Sequence, residues 1–329
     1  MFRILLAIVV MFVSTVPGAC SDQESADKPI VLTAGSSKTL TMRGFSYETG
    51  PQCDSNGNLY FRTGRSRRKA LILKIAGKDG VPTAYQVSGQ PVEAYFVAFH
   101  VTGDGRIAML MGGKKNESFV YEFSEDDPGN MSTIALEAPE GLNALNVQSF
   151  VVLQNDHFVV HGYFGEGTPA DKIGHSYLAE FASSGKLLRL TLNKASDDVL
   201  KSIAQRGAKT QAAQGKDRMT YLLLADRIVV LSGGTVDREI KLKPPESGYK
   251  PDMLYMHDRR LVVGFFSSEE PGKALKSLFQ LLDPSSGEVL RTFQAGPEVG
   301  SGLVCFGDEG LTFMKMEDKQ LKLINAPIK

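Results

Sequence analysis

The stretch Ala94–Met111 (AYFVAFHVTGDGRIAMLM) limits the possible folds more than any other part of the chain. It places two apolar strands on either side of a Thr-Gly-Asp-Gly turn, and weaker copies of the unit return along the sequence. In each copy an apolar anchor follows a cluster of Gly, Asp, Asn, Arg or Lys. The anchors are Leu59, Ile107, Phe158, Met219, Leu261 and Leu311. Such clusters turn tightly because Gly, Asn and Asp accept positive φ or bond their own backbone. The anchors recur at intervals of 42 to 61 residues, a period characteristic of propellers and solenoids.

The period is filled with β pattern: short, turn-bounded apolar runs with almost no 3.6-residue repeat. A second hairpin follows most anchors, over Ala70–Val87, Phe119–Leu136, Tyr177–Leu192, Ile228–Leu242 and Leu278–Phe293. One period therefore holds about four strands, the content of a propeller blade. After Leu311 there is room only for Gln320–Pro327, which leaves the last blade one strand short. The N-terminal strands Ile30–Ala34 and Lys38–Arg43 can supply it. The expectation is an all-β, six-bladed β-propeller, closed by an N-terminal strand that completes the last blade. Ala195–Lys216 breaks the pattern. Ser196, Asp197 and Asp198 make an N-cap with an acidic first turn. A helical or loop insertion is expected there.

The first residues carry an export pattern. Arg3 precedes the apolar run Ile4–Val13, which is shorter than the roughly 20 residues a spanning helix needs. Val16-Pro-Gly-Ala-Cys20 then resembles a bacterial lipobox, with Pro17 where Leu, Val or Ile is usual. Residues 1–19 are expected to be a signal peptide, Cys20 a lipidated N-terminus, 20–28 a polar tether and 29–329 the propeller domain. Plain secretion with cleavage near Gly18 or Ala19, and an uncleaved anchor, are the alternatives. The expected location is periplasmic or anchored to the outer membrane, with secretion as the alternative. Formal net charge is zero, so the chain lacks the basic excess that binds nucleic acid. A membrane would be met only through the lipid anchor.

The blade pattern, as in Leu278–Phe293 with its Asp283-Pro-Ser-Ser-Gly287 turn, resembles the six-bladed propellers that include TolB-like and NHL-repeat proteins. The resemblance covers about Pro29 to Lys329 and is one of class. The chain has no Trp, so the Trp-bearing signatures of other propellers are missing. What the resemblance implies is a disc with a central channel, whose loops on one face form the working surface.

Candidate chemistry is sparse. Asp54, Asp104, Asp156, Asp217, Asp258 and Asp308 all lie in the turns before anchors. A ring of such carboxylates would suit Ca²⁺, which takes six to eight oxygens; Asp also belongs in turns for local reasons. His100 ends the first strand of the second blade, near the axis. His157 and His161, four apart on one strand, lie roughly 13 Å apart and cannot share a metal. Cys53 and Cys305 stand at the same offset before the first and last anchors, so a disulfide could lock the ring if their Cα atoms come within about 7 Å. A small buried apolar position is the other reading of these cysteines. Arg62–Lys69 is the one basic run, read as a solvated loop. There is no P-loop, G-x-S-x-G or H-E-x-x-H. No motif requires a cofactor, and Ca²⁺ is the one cation the acids would suit. The expected function is a binding module for a protein, peptide or glycan. A cation-dependent lactonase- or lyase-like enzyme and a structural envelope lipoprotein are the alternatives, and oligomeric state is open.

Overall fold

The computed structural model describes residues 28–40, 51–54, 57–63, 71–75, 83–86, 94–102, 105–113, 117–140, 143–153, 155–165, 173–194, 212–215, 219–224, 226–232, 235–267, 276–318 and 320–328. Among these residues every regular element is a strand. Two short strands come first, β1 (Ile30–Leu32) and β2 (Ser36–Leu40). Six antiparallel sheets follow. The first sheet is β3 (Gln52–Cys53), β4 (Leu59–Thr63), β5 (Leu71–Ile75) and β6 (Thr83–Gln86). The second is β7 (Tyr95–Val101), β8 (Arg106–Gly112), β9 (Ser118–Ser124) and β10 (Ser132–Leu136). The third is β11 (Asn143–Val152), β12 (Phe158–Gly165), β13 (Ile173–Phe181) and β14 (Leu187–Lys194). The fourth is β15 (Ala212–Gln214), β16 (Met219–Leu223), β17 (Arg227–Ser232) and β18 (Thr235–Lys241). The fifth is β19 (Tyr249–His257), β20 (Arg260–Ser267), β21 (Ser277–Leu282) and β22 (Val289–Ala295). The sixth holds β23 (Gly302–Gly307), β24 (Gly310–Glu317) and β25 (Gln320–Ala326).

Each anchor of the repeat stands at the first or second position of the second strand of its sheet. The core is built between sheets. Ile107, Met109 and Met111 of β8 pack with Tyr60, Ile72 and Tyr85 of the first sheet. Ala108 and Leu110, on the opposite face of the same strand, pack with Phe150, Phe158 and Val160 of the third. A strand buried on both faces needs apolar residues at every position. That explains why Ile107–Met111 is an unbroken apolar run where a half-exposed strand would alternate. Further buried clusters fill the space between the remaining neighbours: third and fourth, fourth and fifth, fifth and sixth, sixth and first. The first strands touch in succession from β3 to β7, β11, β15, β19 and β23, and β23 touches β3. The arrangement is that of a β-propeller.

The N-terminal strands divide their work differently from expectation. β2 pairs antiparallel with β25 and gives the sixth sheet its fourth strand, Leu40 opposite Leu321. β1 lies parallel to β22, Ile30 opposite Phe293, as a fifth strand on the fifth sheet. The short Thr33-Ala34-Gly35 link lets one strand run out along one sheet and the next return along its neighbour. The insertion read over 195–216 is corrected in part. Ala212–Gln214 is β15, paired with Leu222, Tyr221 and Thr220, so the fourth sheet keeps its first strand. Residues 195–211 lie outside the described residues. Arg62 is corrected too. It belongs to β4, is 2% exposed, and its guanidinium lies 4.6 Å over the Phe96 ring. The rest of that basic run, 64–69, lies outside the described residues, as do Cys20 and the leader.

Candidate functional site

A cavity of about 440 Å³ lies where the first strands end, and all six sheets contribute to its wall. Its lining comes from Gln52 and Cys53 of β3, His100 and Val101 of β7, Val152 of β11, β15, Leu254–His257 of β19 and Phe306 of β23. The turns after these strands add Asp54, Thr102, Leu153, Gly215 and Asp258, and Arg106 closes the wall from the start of β8.

The first strand of each sheet has one edge without a strand partner, and its backbone groups need other satisfaction. Side chains from the neighbouring sheet supply part of it. The Val152 amide donates to His100 Nδ1 at 3.2 Å. The Gln214 side-chain amide donates to the Val152 carbonyl. Tyr255 donates its hydroxyl to the Leu303 carbonyl at 3.2 Å. These bonds tie second to third, fourth to third and fifth to sixth sheets around the channel.

The turns that end at the mouth explain the regular acids. Asp54 Oδ1 accepts from the Asn58 amide at 2.8 Å, and Oδ2 from the Asn58 side chain at 2.7 Å. Thr102 plays the same part in the second sheet, accepting from the Arg106 amide at 3.0 Å. Asp156 has φ 57°, and Asp258 and Arg259 have φ 43° and 61°. The two-residue loop Asp258-Arg259 between the paired His257 and Arg260 needs both residues left-handed, a conformation Asp accepts more readily than most. Two acids clasp the preceding sheet. Arg106 Nη2 meets Asp156 Oδ1 at 2.5 Å, and His257 Nε2 meets Asp308 Oδ1 at 2.7 Å. The carboxylates of Asp54, Asp156 and Asp308 therefore serve their own turn or the sheet before them. Among the described residues no group of three His, Cys, Asp or Glu side chains is placed to share a metal. Asp104 and Asp217 lie outside the described residues.

The histidines part company. His100 and His161 are buried, and burial pushes each down to about 4, so both are neutral near pH 7. His157 faces Glu180 at 2.9 Å, away from the cavity lining. His257 packs edge-on against Phe306 at the mouth. Sequence reading placed His100 near the axis, but it offered no sign that Gln52, Thr102, Gln214 and His257 would share one wall. Gln52 and His257 stand at different offsets from their anchors than Thr102 and Gln214 do, and only the register of each turn brings the four together.

Cys53 and Cys305 are joined by a disulfide, with Cα atoms 5.4 Å apart, linking first and sixth sheets beside the cavity. Their equal sequence offset is not equal structure. Cys53 pairs with the anchor Leu59. In the sixth sheet it is Phe306 that pairs with the anchor Leu311, and Cys305 lies opposite Thr312. The sixth turn is one residue shorter. Because neighbouring strand residues point to opposite faces, that single residue lets the two sulfurs face each other across the joint.

A second inter-sheet cluster lies on the outer side of the same turns. Tyr60 donates its hydroxyl to Glu125 Oε1 at 2.5 Å, and Lys74 Nζ donates to Glu125 Oε2 at 2.5 Å. Burial, followed by the bond to Glu125, holds the Tyr60 phenol protonated well beyond the usual tyrosine range.

No protein-family model matches the chain, and no curated protein matches it. Solved structures do. The luciferin-regenerating enzyme is 12% identical, with a TM-score of 0.52 over 89% of this chain and 96% of that one. A protein of unknown function from Bacteroides caccae is 14% identical, TM-score 0.48, over 77% and 83%. An arginine-to-alanine triple mutant of AofleA from Arthrobotrys oligospora is 14% identical, TM-score 0.43, over 78% of each chain. Structural neighbours of this chain are propeller-type folds, and at such identity the likeness is one of fold alone.

Proposed function

We propose that this chain is a binding module, a closed ring of six blades that presents its channel mouth to a protein, peptide or glycan. The observation that carries the reading is the axial cavity of about 440 Å³, within the roughly 300–1,000 Å³ range of ligand sites. Its wall holds polar side chains from several sheets while the ring around it is tied at each joint. A rigid rim with unspent polar groups is how a scaffold supports recognition. The six-fold count rests on six sheets whose first strands touch in a cycle; the TolB-like and NHL-like class rests on the blade pattern alone. The leader pattern of residues 1–20 supports export and lipidation at Cys20.

The test fills the mouth. Gln52 lies on β3 at the cavity wall, so Gln52→Trp blocks the cavity without touching the core. Native protein is screened by thermal shift against peptide and oligosaccharide panels. Ligands that raise the native melting temperature are expected to leave the variant unmoved at unchanged circular dichroism. Equal shifts in both proteins would place binding elsewhere. Metabolic labelling with an alkyne fatty acid checks the anchor, with label expected on the native chain and lost in Cys20→Ser.

A further inference from the structure

The buried wall of the cavity holds a donor that no other described residue uses. His100 is 5% exposed and lines the cavity. Its Nδ1 accepts the Val152 amide proton, so that nitrogen carries a lone pair and the neutral ring must hold its proton on Nε2. Nε2–H has no partner among the described residues. Burial keeps this ring neutral down to about pH 4, so the donor carries no charge.

Among the other lining groups, the Thr102 and Tyr255 hydroxyls and the His257 ring are engaged with the Arg106 backbone, the Leu303 carbonyl and Asp308. Asp258 stands exposed at the mouth, and its carboxylate has no partner among the described residues. Gln52 presents its side-chain amide, and Gln214 has its carbonyl left over after its amide has met Val152. Arg106, the one Lys or Arg in the wall among the described residues, is engaged with Asp156 at 2.5 Å and stands 3.9 Å from Glu122.

These groups discriminate by chemistry. An anion has nothing to donate and meets the Asp258 charge while the cation is held by Asp156. An ammonium group has no lone pair to accept the buried N–H, and a desolvated donor left unmatched is costly. A hydroxyl does both, donating and accepting through one rotatable group. Several adjacent hydroxyls on a compact ring match a buried donor, an exposed carboxylate and two amides in one small cavity. An extended peptide needs a groove along which to lie, and the described wall forms a closed rim around the axis.

We propose that the axial cavity binds an uncharged polyhydroxylated ligand, the terminal sugar residue of a glycan, with His100 Nε2–H donating to one hydroxyl and the Asp258 carboxylate accepting from another. The inference rests on the channel mouth being the working surface.

The experiment is a microarray of neutral oligosaccharides beside sialylated and uronate-terminated ones, followed by calorimetry of the best neutral hit. Asp258→Asn is the first variant, because Asn tolerates the left-handed backbone there and only the charge is lost. His100→Gln is the second, since its carbonyl can still accept from Val152 while the donor moves. Each is expected to weaken the neutral hit by about tenfold or more, the scale of one hydrogen bond to a charged or buried group. Circular dichroism and melting temperature report whether each variant folds, and Asp258→Asn stands alone if His100→Gln does not. An array blank for neutral glycans overturns the sugar assignment. If a peptide then binds and is blocked by Gln52→Trp, the mouth stands as a binding site and only its ligand class falls. Neutral binding that a folded Asp258→Asn variant leaves unchanged places the sugar elsewhere and also overturns the inference.

Discussion

His100 and His161 show how single side chains couple this fold to pH. Burial lowers both from an ordinary 6.5 to about 4. Between those values the unfolded chain binds protons that the folded chain refuses. Stability is therefore fully present above about pH 6.5 and lost as pH falls toward 4. The slope is about 1.4 kcal/mol per pH unit for each histidine. Urea titrations at pH 7, 6 and 5 are expected to show a steadily falling midpoint, shallower in His161→Gln; a flat midpoint would refute the buried neutral imidazoles. Glu125 makes a second residue-scale case. It satisfies Tyr60 of β4 and Lys74 of β5 from the end of β9. Glu125→Ala leaves a phenol and an ammonium at a joint with only about a fifth of the Lys74 side chain exposed. The expected loss is about 2 kcal/mol by chemical denaturation, with a value near zero counting against the clasp. Arg62 carries a different lesson. Its neighbours in sequence are basic and read as a loop, yet its guanidinium stacks on Phe96 of the next sheet. Local composition does not show which member of a charge run a strand will turn inward.

Turns between third and fourth strands act as docking elements. Gly185 has φ +85°, and a Cβ there would stand 1.9 Å from the Ala135 carbonyl of β10. Its own carbonyl accepts from the Glu137 amide at 2.9 Å. Gly287, at the matching turn of the fifth sheet, has φ +73° and would meet Ile240 Cγ2 of β18 at 2.4 Å. In both sheets a glycine turn lies flat against the outer strand of the preceding sheet. Gly185→Ala must therefore change its backbone conformation and also push β10 away. Its expected cost is more than about 2 kcal/mol, measured by urea unfolding. Ser184→Ala beside it, which keeps the glycine, is expected to change stability by less than about 0.5 kcal/mol. The glycine turns themselves were readable from sequence, since Asp283-Pro-Ser-Ser-Gly287 has the turn chemistry that Asp283 then displays, accepting from Ser285 and Ser286 amides at 2.7 and 3.0 Å. The docking was not, because sequence does not reveal what stands opposite a turn.

At the scale of the molecule, first and last sheets are joined in two ways. β2 covers the edge of β25, which would otherwise be open to another chain. The Cys53–Cys305 disulfide closes a loop with sequence separation 252. Cross-links over long loops restrict the unfolded chain most, and a contribution of about 4 kcal/mol is expected. Denaturation midpoints of Cys305→Ser and of the reduced native chain are expected to fall together, while a variant as stable as the oxidised protein would show that the joint holds through packing alone.

The repeating strands, their turns and the anchors were legible in the chain because each depends on neighbours a few residues away. Turn residues bend their own backbone, and an apolar run records burial on both faces. The strand that completes the sixth sheet was legible as a deficit, one strand short at one end and spare strands at the other. Which side chains meet was decided only by tertiary structure. Cys53 faces Cys305 because one turn is a residue shorter than its counterpart, Asp156 meets Arg106 across a joint, and His100 spends one nitrogen on Val152 and keeps the other for the cavity. Those meetings depend on the phase of strands that are far apart in sequence. A shift of one residue turns every side chain to the opposite face, and no local pattern records it.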